Sequence, residues 1–128
     1  MIIKSGTKIW RDKNGNHHRE NGPAFVSRNG DKIWYQDGKR HRDDGPATEW
    51  ADGSKEWFQH GNLHREDGPA IEYANGDKWW YQHGQLHRAD GPAIENVNGN
   101  KLWFLNGQTI NVNSQQEFER FLKLKAFW

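Results

Sequence analysis

Apolar and polar residues alternate along this chain in runs of three to five, and glycine punctuates every run. Phe25-Val26-Ser27, Thr48-Glu49-Trp50, Ile71-Glu72-Tyr73 and Ile94-Glu95-Asn96 have the composition of short strands. Each is followed by Asn29-Gly30, Asp52-Gly53, Asn75-Gly76 or Asn98-Gly99. These dipeptides predict type I′ hairpin turns, because Asn, Asp and Gly tolerate the positive φ needed at both central positions. A second run then passes through a lysine and a tryptophan. At a period of two, Trp34, Trp57, Trp80 and Trp103 share one face, and Tyr35, Phe58, Tyr81 and Phe104 share the other. A second tight turn closes each run at Asp37-Gly38, His60-Gly61, His83-Gly84 and Asn106-Gly107.

The whole pattern repeats every 23 residues, starting at Gly15, Gly38, Gly61 and Gly84, with a broken copy at Gly107. A fixed period of this length indicates one supersecondary unit per repeat, stabilised by stacking on its neighbours. The expected fold is mainly β: a single-layer antiparallel meander of repeated hairpins, two strands per unit and roughly ten in all. Residues 1–14 read as an N-terminal partial repeat acting as a cap, and residues 15–107 as four hairpin repeats. Residues 108–128 read as a final strand and a C-terminal helix. Ser114 and Glu117 stand as N-cap and N3 of a capping box, and Phe118, Phe121, Leu122 and Lys125 follow at helical spacing. The helix is expected to fold back and seal the open end of the sheet. The apolar tail Ala126-Phe127-Trp128 also suits a docking peptide or a dimer contact.

Composition narrows the picture. Only 33% of residues are hydrophobic, and eight Trp, six Phe and three Tyr make up much of that share. Large rings must supply most of the burial, so a thin aromatic-rich structure is expected. The absence of cysteine rules out disulfides and thiolate metal sites and suits a reducing cytoplasm. No apolar run approaches the roughly 20 residues of a membrane span, and Met1-Ile2-Ile3-Lys4 is too short for a signal peptide. A formal net charge of +1, with signs interspersed, gives no global attraction to nucleic acid.

The period, the Gly-x-x-His start and the later Asp/Asn-Gly with aromatics resemble MORN repeats. The unit differs from that family in reading His64-Arg65-Glu66-Asp67-Gly68-Pro69 where the family has His-Gly-x-Gly. It is similar to units in proteins of large tailed phages and some bacteria. The resemblance covers residues 6–110. It implies a single-layer hairpin sheet and a scaffold or binding module. Through the phage association, it implies a host-cell protein as partner, such as a defence component inhibited by occlusion.

The recurring polar residues admit three kinds of chemistry. His18, His41, His64 and His87 form a ladder, each followed by an arginine. Equivalent positions two strands apart lie ~10 Å from one another, too far to share a metal at ~2 Å bonds, so no metal and no cofactor is expected. In a structural reading, each arginine pairs with Asp or Glu and each histidine bonds the Gly-Pro turn. In a binding reading, the arginines and Lys32, Lys55, Lys78 and Lys101 alternate with aromatics and hold a flat anion such as a nucleotide. That reading assigns His41, Arg42, His64, Arg65, His87 and Arg88 to the ligand, with extended nucleic acid disfavoured by the neighbouring carboxylates. The four serines lie at turns and caps, without a base at recognisable spacing, and no enzyme activity is expected. The leading expectation is therefore a cytoplasmic, non-enzymatic interaction module and homo-oligomer. Its aromatic surface would bind a protein partner through Trp50, Tyr73, Trp79 and Trp80. The alternative is a sponge for a nucleotide-derived anion.

Overall fold

The computed structural model describes residues 1–125. In chain order its elements are β1 (Ile2–Lys4), β2 (Thr7–Ile9), β3 (Phe25–Val26), β4 (Lys32–Ile33), β5 (Tyr35–Gln36), β6 (Lys39–Arg40), β7 (Thr48–Glu49), β8 (Lys55–Glu56) and β9 (Phe58–Gln59). They continue as β10 (Asn62–Leu63), β11 (Ile71–Glu72), β12 (Lys78–Trp79), β13 (Tyr81–Gln82), β14 (Gln85–Leu86), β15 (Ile94–Glu95), β16 (Lys101–Leu105), β17 (Gln108–Ile110) and α1 (Gln115–Lys125). The fold is mainly β, an antiparallel meander with one C-terminal helix. Eleven strands form one sheet in the order β1-β2-β3-β4-β7-β8-β11-β12-β15-β16-β17.

The units hold more than the two strands expected of them. The strand carrying each central tryptophan is interrupted there, and its second half forms a separate two-stranded hairpin: β5 with β6, β9 with β10, β13 with β14. Tryptophan is the pivot. Trp57 N–H donates into the main sheet, to Ala70 O at 2.7 Å, while its carbonyl accepts from His64 N in the side hairpin at 3.0 Å. Trp34 and Trp80 repeat both bonds. The side hairpins are stitched to one another, for example by Gly61 N donating to Arg40 O at 2.9 Å and Gly84 N to Leu63 O at 2.8 Å. Two files of strands thus run along the array, joined at a line of tryptophans.

The two turns of each unit differ in type, contrary to the expectation of I′ geometry at Asn-Gly. Asp37-Gly38, His60-Gly61, His83-Gly84 and Asn106-Gly107 have positive φ at both residues, near 50° and 80–87°, and are the I′ turns. At the Asn/Asp-Gly turns only the glycine is positive. There Gly76 N bonds Tyr73 O and Tyr73 N bonds Asp77 O, a type I turn followed by a left-handed glycine. Asn75 serves through its side chain instead, accepting from Asp77 N at 3.0 Å, as Asp52 does from Ser54 N.

Register makes the two faces of the main sheet distinct. Directly paired residues form one continuous row, Ile2, Ile9, Phe25, Ile33, Thr48, Glu56, Ile71, Trp79, Ile94 and Leu102. Ile33, Ile71, Ile94 and Thr48 are buried in it. One residue along, the opposite face carries Lys32, Glu49, Lys55, Glu72, Lys78, Glu95 and Lys101 as alternating charges. Opposite charges on directly paired strands favour this register, and a slip of one residue would exchange the faces.

The array ends differently from its middle. The place of the unit's arginine is taken by Asn111, and α1 supplies the cover instead. Phe118 is fully buried and tilts against Trp103 at a ring distance of 6.4 Å. Gln115 accepts from Trp103 Nε1 at 3.0 Å. Leu105, Ile110, Val112, Phe121 and Leu122 complete this cluster. Ser114 caps the helix by accepting from Glu117 N, and the Glu117 carboxylate reaches back to Asn113 N, one residue before the N-cap position. The tail Ala126-Phe127-Trp128 lies outside the described residues. No helix among the described residues is long and apolar enough to cross a membrane.

Candidate functional site

The His-Arg ladder lies on the charged side of the tryptophan line. Each arginine stacks on the tryptophan eight positions earlier in sequence, with Arg42, Arg65 and Arg88 each 3.9 Å from the ring centroid of Trp34, Trp57 or Trp80. Arg65 shows what else the guanidinium does. Nε donates to Asp67 at 3.2 Å, and Nη1 donates to Pro69 O at 3.1 Å and to Glu72 at 3.2 Å. Arg42 and Arg88 repeat these contacts. Planarity lets one arginine stack and bond in a fork at the same time, which lysine cannot do. Arg19 keeps the stacking on Trp10 and the Pro23 carbonyl, but Asn21 and Val26 stand where the carboxylates would be.

The histidines are tied to the next unit rather than to the Gly-Pro turn. The backbone N–H groups of Asp37, His60, His83 and Asn106 donate to Nδ1 of His18, His41, His64 and His87 at 2.9–3.1 Å. An accepting Nδ1 leaves the neutral ring's proton on Nε2. It donates to Glu20, Asp43 or Glu66 two residues on, and Ala89 stands there in the last unit. The Glu20 hydrogen bond holds His18 above the ordinary imidazole range, against the opposing pull of burial. The rings of His41 and His64 also lie tilted against those of His60 and His83, with centroids 4.5 and 4.6 Å apart. Asp12, His18 and Asp37 bring ligand atoms within 4.8 Å of one another. Both ring nitrogens of His18 are already committed, however, and Asp12 Oδ1 accepts from Asn14 N and Asn16 N.

The residues expected to hold an anion (His41, Arg42, His64, Arg65, His87 and Arg88) are therefore brought together, but Nε and Nη1 of each arginine and Nε2 of His41 and His64 already donate to neighbouring oxygens. The charge left outermost is negative. Side chains of Asp43, Asp44, Asp67 and Asp90 are 85–87% exposed, against 23% for Arg42, Arg65 and Arg88. Between consecutive loops lie open grooves of about 850, 840 and 820 Å³, floored by Trp34, Trp57 and Trp80 in turn. Lysines repeat on the same face, nearer the Asn-Gly turns.

The aromatic residues expected to meet a partner divide between the faces. Tyr73 and Trp79 touch edge to face at 5.5 Å on the apolar side. Trp79 is half-buried, and its Nε1 donates to Asn96 at 3.0 Å. Trp50, half-buried, occupies the Tyr73 position one unit earlier, so the three lie along one rim at the Asn-Gly turns. Burial, with Glu56 and Asp77 nearby, pushes the Tyr73 hydroxyl above its ordinary range. Exposed Leu102 extends the paired row beyond Trp79 and Ile94, and Val97 stands exposed on the neighbouring turn. Trp80 does not join them. It lies on the opposite side, under Arg88, because consecutive residues of a strand point to opposite faces. Leu102 and Val97 went unnoticed in the sequence reading. Their signal is their departure from the identities at the same positions of other units.

The chain matches no protein-family model, no curated protein and no solved structure.

Proposed function

We propose that this protein is a non-enzymatic interaction module that captures a protein partner on the rim formed by Trp50, Tyr73 and Trp79. One observation carries the reading. The backbone repeats faithfully from unit to unit, yet the rim side chains do not. One rim position holds Ser27, Trp50, Tyr73 and Asn96 in successive units, and another holds Ile33, Glu56, Trp79 and Leu102. Repeating the fold does not require those identities, and rings left exposed on a sheet face suit a partner. The residues that do repeat in the middle units, the arginines and their tryptophans, are consumed internally. The anion sponge therefore draws on groups that already have partners. The similarity to phage-type units supports a host-cell protein as the target, with occlusion as the mode of action.

The test is capture of partners from host extract by wild-type protein and by Trp50→Ala/Tyr73→Ala, followed by native mass spectrometry. The expected result is a stoichiometric protein adduct on wild type that the double variant loses while keeping its melting temperature. Retention of the adduct by the variant would refute the rim. A homodimer as the sole species would make a second copy the occupant and remove the host protein from the proposal.

A further inference from the structure

The opposite face carries its own recurring surface. Three observations converge on it. First, the grooves over Trp57 and Trp80 are equivalent in construction: a tryptophan and a glutamine on the floor, and one His-Arg-x-Asp loop on each side. Second, the charge that faces outward is acidic. Asp67 gives one oxygen to Arg65 and Glu66 gives one to His64. No partner occupies the second oxygen of either among the described residues, and carboxylates outnumber arginines in the lining of both grooves, four to two over Trp57 and three to one over Trp80. Third, the grooves recur every two strands, ~10 Å apart. A polyproline II chain has three residues per turn and advances ~9.3 Å per turn. A polypeptide in that conformation, running across the strands, would present the same side chain to each groove in succession.

We infer that this ladder is a docking track for an extended, proline-rich basic segment with Lys or Arg at every third residue. One basic side chain enters each groove between two carboxylate-bearing loops, its methylene stem lying along the tryptophan edge. Proline turns suit the aromatic floor, because recognition of such chains uses rigid aromatic grooves and little ordering entropy is lost. The groove over Trp34 differs from the other two in having Lys39 among its lining residues. The inference concerns a different face from the rim and stands independently of it.

The experiment is titration of the full chain with a synthetic peptide of four Lys-Pro-Pro units, followed by tryptophan fluorescence and calorimetry at low salt. A peptide of four Lys-Pro-Pro-Pro units carries the same charge at the wrong spacing. The period-three peptide is expected to bind at least about tenfold more tightly, and to weaken as salt rises. Asp67→Asn/Asp90→Asn keeps an acceptor for each arginine while removing groove charge, and is expected to weaken binding about tenfold. Tyr73→Ala should leave it unchanged. Equal affinity for the two peptides, indifference to the Asn substitutions, or absence of binding would each overturn the inference.

Discussion

Arg65→Ala is the sharpest perturbation of the repeat, because a single side chain there closes four contacts. Its guanidinium covers Trp57 at 3.9 Å and is only 23% exposed. Such stacking contributes roughly 1–2 kcal/mol when partly desolvated. The charge-assisted bond to the Pro69 carbonyl adds about 1.5 kcal/mol. The Glu72 pair, on a carboxylate that is 35% exposed, adds less than about 1 kcal/mol, and the Asp67 pair adds little, because its carboxylate is 87% exposed and water screens it. These contributions overlap, and a loss of about 3 kcal/mol is expected. For a chain of this size that lowers the melting temperature by about 10 °C. Arg65→Lys keeps the charge but cannot stack flat and bridge three acceptors, so it should recover about 1 kcal/mol. Differential scanning calorimetry of the three proteins, with urea titration as a second probe, decides the matter. A melting point for Arg65→Ala within about 2 °C of wild type, or full recovery by lysine, would refute the structural role of the ladder.

Thr48 makes a prediction of opposite sign. Its hydroxyl is buried with no partner among the described residues, so Thr48→Val should stabilise by about 1 kcal/mol, read as a higher urea midpoint. At Gly76 an added Cβ would meet Val97 Cγ1 at 2.8 Å at φ +100°, whereas at Gly53, φ +96°, it meets nothing within 4 Å. Gly76→Ala should therefore cost more than the roughly 1–2 kcal/mol of backbone strain expected for Gly53→Ala, and Val97→Ala should return the difference. Phe118→Ala empties the cluster under α1 and should cost about 3–5 kcal/mol, with loss of helical circular dichroism. His18 should titrate above 6.5 by NMR, and Glu20→Gln should bring it down. Protonated Nδ1 can turn from the Asp37 N–H toward the Asp37 carboxylate, 3.6 Å away. Because the folded value is raised, the pair's stabilisation is complete below the unfolded value of about 6.5 and vanishes as pH rises through the folded one. The melting difference between wild type and Glu20→Gln should therefore be largest in mild acid and close at higher pH.

The 23-residue period, the hairpins, the antiparallel meander and the capping helix were all legible in the chain. They depend on local backbone chemistry, namely where glycine permits positive φ, where alternation sets a face, and where serine and glutamate start a helix. Alternation also placed Trp34, Trp57, Trp80 and Trp103 on one side of their strands. Turn type was not legible at Asn75-Gly76, because the same dipeptide serves either by its φ angles or by its side-chain oxygen, and only the bond to Asp77 tells which. Nor was the break at Trp34, Trp57 and Trp80, which arises when the amide and carbonyl of one residue bond different strands.

The site followed the same division. The sequence by itself determined that His-Arg-x-Asp and Trp recur together at a fixed interval, and that Trp50, Tyr73 and Trp79 depart from the repeat. Only the tertiary structure decided that the arginines turn inward onto tryptophan and leave carboxylates outermost, so that a ladder rich in basic residues presents an acidic surface. The physical reason is that a charge's accessibility depends on what packs against it, and those partners (a ring eight residues back, a carbonyl four on, a carboxylate seven on) are joined by the folding of the unit and not by adjacency along the chain.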